Sequence, residues 1–138
     1  MKNKLKIQLS ELKTSMVSKR YVEWMNKKEI VQFTEQRFFK HTKKDVIKFV
    51  KSKEKSHDEF LYGIFVLEPK KKIHIGNIKL GPINFDHLTS EISYFIGEKN
   101  FQNKGLGSLA IKNVLIIAKK RFKLKKITAG VYNNNISS

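Results

Sequence analysis

The sequence predicts an α/β fold of the α+β type: a mixed, mostly antiparallel sheet flanked by helices. Three observations predict it. Short apolar runs of strand length recur at Phe60–Leu67, Ile73–Leu80 and Glu91–Ile96. A helix-period stripe runs from Leu106 to Phe122, with apolar residues at 106, 109, 110, 114, 117, 118 and 122. The order is strand, helices, three strands, long helix, strand, which calls for a meander followed by one parallel crossover around the long helix.

The elements follow in order. Lys4-Leu5-Lys6-Ile7-Gln8-Leu9 alternates polar and apolar residues and reads as a half-buried strand. Val17, Tyr21, Trp24 and Met25 recur at helical spacing. Asn26-Lys27-Lys28-Glu29 has the form of a capping box opening a further short helix. Thr42-Lys43-Lys44-Asp45 is a second such start, and Val46, Ile47, Phe49 and Val50 form the apolar face of its helix. The unbroken apolarity of Phe60–Leu67 is that of a strand buried on both faces. Pro69-Lys70-Lys71-Lys72 turns the chain back into Ile73–Leu80, making a hairpin that Gly81-Pro82 ends. A polar loop around Asp86-His87 leads to Glu91–Ile96. A loop of small and polar residues, Gly97 to Lys104, precedes Gly105-Leu106-Gly107 and the long helix. Lys126–Val131 is the last strand, and the sequence ends at Asn133-Asn134-Asn135-Ile136-Ser137-Ser138.

At 138 residues the length is that of one domain, long enough for a core without staples. Cysteine is absent, which excludes disulfides, thiolate metal sites and a cysteine nucleophile. No apolar run approaches the ~20 residues that span a bilayer. The charged N-terminus has no apolar stretch behind it, so it is not expected to act as a signal peptide, and a cytoplasmic protein without a membrane partner is expected. The histidines at 57, 74 and 87 show no metal-ligand spacing with acids. The net charge is +17, from 29 basic and 12 acidic residues. Such an excess points toward nucleic acid or an anionic surface. Against it, only Arg20, Arg37 and Arg121 are arginines, the side chain that forks onto bases and phosphates. The lysines form no stripe, and Phe38-Phe39-Lys40 is the one place where aromatics meet a basic residue. A non-catalytic basic nucleic-acid-binding or interaction domain is the alternative these features leave, with nucleic acid the less favoured partner.

The chemistry concentrates where the chain passes through a glycine loop into the long helix. Free N–H groups at a helix N-terminus, with the positive end of the dipole, bind phosphate. Gly105 and Gly107 let the backbone approach an anion closely, and Lys99 and Lys104 add charge. A P-loop is excluded because Gly107 is followed by Ser108 with no lysine, and its first glycine is missing. Gly105-Leu106-Gly107-Ser108-Leu109-Ala110 fits the dinucleotide pattern Gly-x-Gly-x-x-Gly/Ala. That fold needs a strand ending just before the first glycine and an acid about twenty residues on. Here the strand ends near Ile96, nine residues early, and no Asp or Glu follows Glu98.

Gln102-Asn103-Lys104-Gly105-Leu106-Gly107 matches Gln/Arg-x-x-Gly-x-Gly/Ala. With the strand before it and the helix and strand after it, this segment resembles the pyrophosphate loop of the GNAT superfamily of acyl-CoA N-acetyltransferases. The N-terminal strand, the following helices and the hairpin fit the same family, so the resemblance covers nearly the whole chain. It implies a single GNAT-like domain over residues 1–138, acetyl-CoA (coenzyme A) as cofactor and direct attack by a primary amine. It also implies that Phe95, Ile96 and Gly97 offer backbone groups to the pantetheine arm. Gln102, Asn103, Lys104, Gly105, Leu106, Gly107 and Ser108 would then wrap the pyrophosphate.

Glu91 stands eleven residues before Gln102, a spacing at which some family members carry a general-base glutamate. A carboxylate beside an apolar strand can be tuned to take the amine's proton. Pairing with a neighbouring lysine on the sheet face is the equal alternative. Asn135-Ile136-Ser137-Ser138 resembles the Asn-x-x-Ser/Ala that opens the family's next helix, whose asparagine contacts the cofactor arm; an N-cap role fits Asn135 as well.

Tyr21–Ile30 followed by His41-Thr42, together with Ile75-Gly76-Asn77-Ile78, resembles the branch acting on ribosomal-protein N-termini and amino sugars. Trp24 and His41 are then walls of a pocket for a small-molecule or peptide amine, against the plainer readings of core and surface residue. Family members continue beyond the asparagine through a helix bearing a tyrosine and two more strands. The sequence stops before these, so the domain is expected to be incomplete at its C-terminus, truncated after the fifth strand. An open sheet edge pairs readily with another chain, which makes a homodimer a further expectation.

Overall fold

The computed structural model describes residues 5–27, 30 and 41–129. Strand β1 (Lys6–Glu11) is followed by a 3-10 turn (Thr14–Met16), α1 (Lys19–Met25), α2 (Lys43–Glu54), β2 (Phe60–Glu68), β3 (Lys71–Leu80), β4 (Thr89–Ile96), a second 3-10 turn (Lys99–Phe101), α3 (Leu106–Phe122) and β5 (Lys126–Ala129). The strands form one sheet in the order β1-β2-β3-β4-β5. The first three pairings are antiparallel, and β4 with β5 is parallel, joined by the crossover through α3. The expected α/β architecture is therefore present. Two boundaries moved: β1 lies two residues later than its alternation implied, and β4 begins at Thr89, ahead of Glu91.

Local chemistry sets the helix starts. The Ser18 hydroxyl accepts from the Tyr21 N–H (3.1 Å) and caps α1. At α2 the expected capping box is complete: Asp45 donates its N–H to Thr42 Oγ1 (3.2 Å), and Thr42 donates its N–H to the Asp45 carboxylate (2.9 Å). Asn26 is the C-cap of α1; its amide bonds the His41 backbone in both directions (2.7 Å each), joining the end of α1 to the start of α2. The Glu29 half of the capping box read at Asn26, Gly130 and Val131 of the last strand, and Asn135 lie outside the described residues.

Each face of the sheet has its own core. One face packs Tyr62, Ile64, Val66, Ile75, Ile78, Leu80, Ile92 and Ile96 under α3. Gly107, Ala110, Val114 and Ala118 form the buried seam of that helix, small residues that bring it close to the strands. Leu109, expected in the stripe, is 38% exposed, because the helix turns a narrower face to the sheet than the apolar positions alone imply. The other face carries α1 and α2 through Tyr21, Trp24, Met25, Val46, Val50 and Leu61.

A β-bulge separates the two halves of β3. Ile64 pairs with Gly76, but Phe65 pairs with His74, so Ile75 is the extra residue. The side-chain alternation slips by one there. Ile73 and Ile75 pack toward α3, and so do Ile78 and Leu80. His74 and Asn77 are thereby thrown onto the α1 face, three residues apart and hydrogen-bonded at 2.8 Å.

Candidate cofactor-binding and active site

The loop between β4 and α3 delivers an open helix N-terminus. Gly105 is the N-cap of α3 with φ +76°, the left-handed region that glycine reaches without strain. A Cβ built on it meets no described atom within 4 Å. No side chain caps the helix, and its first turn holds no acid. The first intrahelical bond runs from Leu109 N–H to Gly105 C=O (3.3 Å), which leaves the N–H groups of Leu106, Gly107 and Ser108 without an intrahelical acceptor. Gly107 is glycine for a packing reason. A Cβ there would stand 2.5 Å from the Tyr94 ring, which lies directly beneath the first turn. Asn103 also has a positive φ, 61°, and with Lys104 it is exposed at the rim of the loop.

The end of β4 is the second element of the site. Gly81 donates to the Glu91 carbonyl (2.9 Å), and Thr89 exchanges bonds with Asn84 (2.8 and 3.1 Å). Strand alternation then turns the backbone groups of Ser93 and Phe95 toward β3, and those of Ser90, Ile92, Tyr94 and Ile96 toward β5. Among the described residues the β4–β5 ladder ends at Ile92–Ala129. Of Phe95, Ile96 and Gly97, only Ile96 therefore turns its backbone away from β3, and Tyr94 does so too. The Gly97 N–H is already spent on the Ile75 carbonyl (2.6 Å), and Glu98 donates to the same oxygen (3.1 Å). The Gln102 side chain donates to the Ile96 carbonyl (2.8 Å) and closes the loop across the strand end.

Glu91 sits on the α1 face of β4, opposite Thr128 of β5, with its side chain exposed. No described residue pairs with its carboxylate, so neither the apolar shielding nor the lysine partner expected for it is present. It stands four residues before Phe95 on the same face, about 13 Å along the strand.

Trp24 is 1% exposed, a core residue rather than an open wall. Its ring lies edge-on to His74 (4.9 Å) and Phe95 (6.1 Å) and covers Gly97, where any Cβ would come within 2.3 Å of the indole. Its Nε1–H donates to the Glu98 carboxylate at 2.8 Å, and Arg20 reaches the same carboxylate at 3.4 Å. His41 is half-buried at the start of α2, tied through its backbone to Asn26.

Beside Trp24, burial holds the His74 imidazole below its usual range, opposed by its bond to Asn77. The buried Tyr21 hydroxyl is pushed well above the ordinary tyrosine range by the same desolvation. Sequence reasoning missed Tyr94, Glu98 and the bulge. The bulge had a signal: apolar residues at 73 and 75, then 78 and 80, slip by one across Gly76. No group of metal-ligating side chains occurs among the described residues, and none of their helices is long and apolar enough to cross a membrane.

The sequence model of the family described as "Acetyltransferase (GNAT) domain" matches residues 9–138, and the chain belongs to that family. It is accordingly an acetyl-CoA-dependent N-acetyltransferase, which moves an acetyl group to an amine. Among solved structures it is similar to the spermidine N-acetyltransferase from Vibrio cholerae in complex with CoA and spermine, at 19% identity and TM-score 0.74, over 89% of this chain and 69% of that one. A chimera of that enzyme with hSSAT gives 22% identity and TM-score 0.73, over 94% of this chain and 72% of the other. A domain from Methanocaldococcus jannaschii gives 19% identity and TM-score 0.71, over 97% and 82%. At these identities the likeness is one of fold. No curated protein sequence matches the chain.

The local structure fits acetyl-CoA, which supplies an activated acyl group when bound. A pyrophosphate needs clustered N–H donors with no competing acid, and the first turn of α3 has both properties. An amide-bearing arm needs strand-like partners, and β4 turns the Tyr94 backbone and the Ile96 N–H away from β3, while Gln102 holds the Ile96 carbonyl.

Proposed function

We propose that the chain transfers the acetyl group of acetyl-CoA to a primary amine of a small molecule or peptide, an amino-sugar nucleotide or a protein N-terminus, in the cytoplasm. The observation that carries this reading is the first turn of α3, uncapped by any described side chain and free of acids, with Gly105 at its head, standing next to the end of β4.

In this reading the N–H groups of Leu106, Gly107 and Ser108 hold the pyrophosphate. Lys99 and Lys104 add attraction, and Gln102 and Asn103 shape the loop. Tyr94 and Ile96 take the arm as an extra strand would, and Asn135, by the family resemblance, contacts that arm. Glu91 removes the proton from the incoming ammonium, its exposed carboxylate free to meet an acceptor from solvent. His41 borders the acceptor from the start of α2, and Trp24 supports that side from beneath.

Net charge bears on the acceptor. Spermidine is the substrate named for the Vibrio cholerae enzyme, but a chain of +17 repels a polycation and attracts an anionic nucleotide. A homodimer is part of the same proposal: Leu109, Leu115 and Ile116 leave apolar surface on the outer side of α3. The direct test is thermal. Acetyl-CoA at about a hundred times its Kd should raise stability by about 2.7 kcal/mol, a shift of several degrees. No shift at millimolar acetyl-CoA overturns the reading. Rates with an amino-sugar nucleotide, an N-terminal peptide and spermidine then rank the acceptors, with spermidine expected last.

A further inference from the structure

Glu98 and Trp24 have no role in the reading above beyond support, yet they join the acceptor side of the molecule to the start of the cofactor loop across 74 residues of chain. Glu98 is the residue from which that loop departs. Its N–H is fixed on the Ile75 carbonyl (3.1 Å), and its own carbonyl accepts from Phe101 (2.9 Å), which winds the 3-10 turn leading to Gln102. Its carboxylate receives the Trp24 indole N–H at 2.8 Å and lies 3.4 Å from Arg20, with 24% of its side chain exposed.

The indole itself is held on three sides. It is buried, wedged between His74 and Phe95, and laid on Gly97 so closely that only glycine fits beneath it. The β3 bulge supplies the remaining part of the joint, because the carbonyl of its extra residue, Ile75, receives both the Gly97 and the Glu98 N–H.

We propose that Trp24 and Glu98 are positioning residues for coenzyme A: the indole N–H holds the Glu98 carboxylate and so sets the angle at which the loop leaves β4 and presents the first turn of α3. This rests on the reading of that turn as the pyrophosphate site. A charge-assisted hydrogen bond is among the stronger single contacts a side chain makes, and this one is anchored by a rigid ring on one side and a loop on the other. Losing that donor frees the carboxylate to swing toward Arg20 and solvent.

The experiment is calorimetric titration of CoA into the whole chain, with acetyl-transfer kinetics beside it. Trp24→Phe keeps an aromatic ring near Gly97 but removes the donor together with half of the buried indole, so its Kd is read beside its melting curve. It should raise the CoA Kd about tenfold, the scale of one hydrogen bond to a charged group. Glu98→Ala should do the same, while Glu98→Gln, whose amide oxygen still accepts from the indole, should stay within about twofold of the unaltered chain. The KM for acetyl-CoA should rise in the two weakened variants while kcat at saturation holds, a split that general loss of folded protein would not produce. Should Trp24→Phe fail to fold, the Glu98 pair carries the test. Unchanged Kd in Trp24→Phe or in Glu98→Ala overturns the proposal, and so does a Glu98→Gln loss as large as that of Glu98→Ala, which would put the effect in the pairing with Arg20. If the unaltered chain does not bind CoA, the cofactor reading itself fails and this proposal falls with it.

Discussion

The two faces of the sheet are made of different materials. Under α3 the core is aliphatic: Ile64, Val66, Ile75, Ile78, Leu80 and Ile92 meet a seam of glycine, alanine and valine. On the α1 face, aliphatic packing by Met25, Val46, Val50 and Leu61 surrounds an aromatic and polar centre of Tyr21, Trp24, Phe65, His74 and Asn77, linked ring to ring and by the His74–Asn77 hydrogen bond. Aliphatic packing is non-directional and holds the frame in place. Rings and hydrogen bonds are directional, and on this face they meet the strand end from which the loop departs. Both faces supply stability, and the aromatic and polar centre of the α1 face also fixes geometry at the strand end.

The largest expected effect breaks the frame. Ile64→Ala, at a fully buried position under α3, should cost about 3 kcal/mol of unfolding free energy in a urea melt. The fraction that remains folded should bind CoA as before; a parallel loss of affinity would show that the two faces are not separable. Next comes Glu91→Gln on the opposite face. It should lower kcat about a hundredfold, the modest end for loss of a general base, with the melting temperature unmoved because the side chain is exposed. Equal rates would remove Glu91 from that role.

Gly107→Ala sharpens the boundary between frame and site. Its Cβ must displace the Tyr94 ring, so about 2 kcal/mol of stability and part of the CoA affinity should go together. Loss of stability alone would separate the helix seam from the phosphate cradle. The smallest effect is a pH slope. Folding holds His74 below its usual range by burial, so below about pH 6.5 the unfolded chain takes up a proton that the folded chain refuses. Stability should therefore decline as pH drops from 7.5 to 5.5. His74→Gln should flatten that decline in paired thermal melts, and an unchanged slope would place the titration elsewhere.

Much of the frame was legible in residue order. The α2 start was visible because Thr42 and Asp45 are three residues apart and cap one another locally. The α3 stripe and the hairpin turn at Pro69-Lys70 were visible for the same reason, with Leu109 the exception. A helix's periodicity shows which residues are apolar, while the breadth of the face it buries is set by what packs on it. The cofactor loop was readable as Gly105-Leu106-Gly107 in its setting, but the strand residues beside it were not. Which of Tyr94, Phe95 and Ile96 turns its backbone away from β3 depends on register against that strand, and that register is decided by pairing with residues far away in the chain. Trp24 was ambiguous between core and pocket wall; burial and the bond to Glu98 put it in the core with its polar edge toward the loop.

Sequence alone determined the order of elements, the mixed sheet with its crossover, the glycine loop at the head of α3 and the family, because each is written in local spacing. Only the tertiary structure decided that β3 bulges at Ile75, that Tyr94 lies beneath Gly107, and that a tryptophan near one end of the chain holds the glutamate opening the cofactor loop. Those facts depend on strand register and on contacts between distant residues, and one slip of register sends every following side chain to the opposite face.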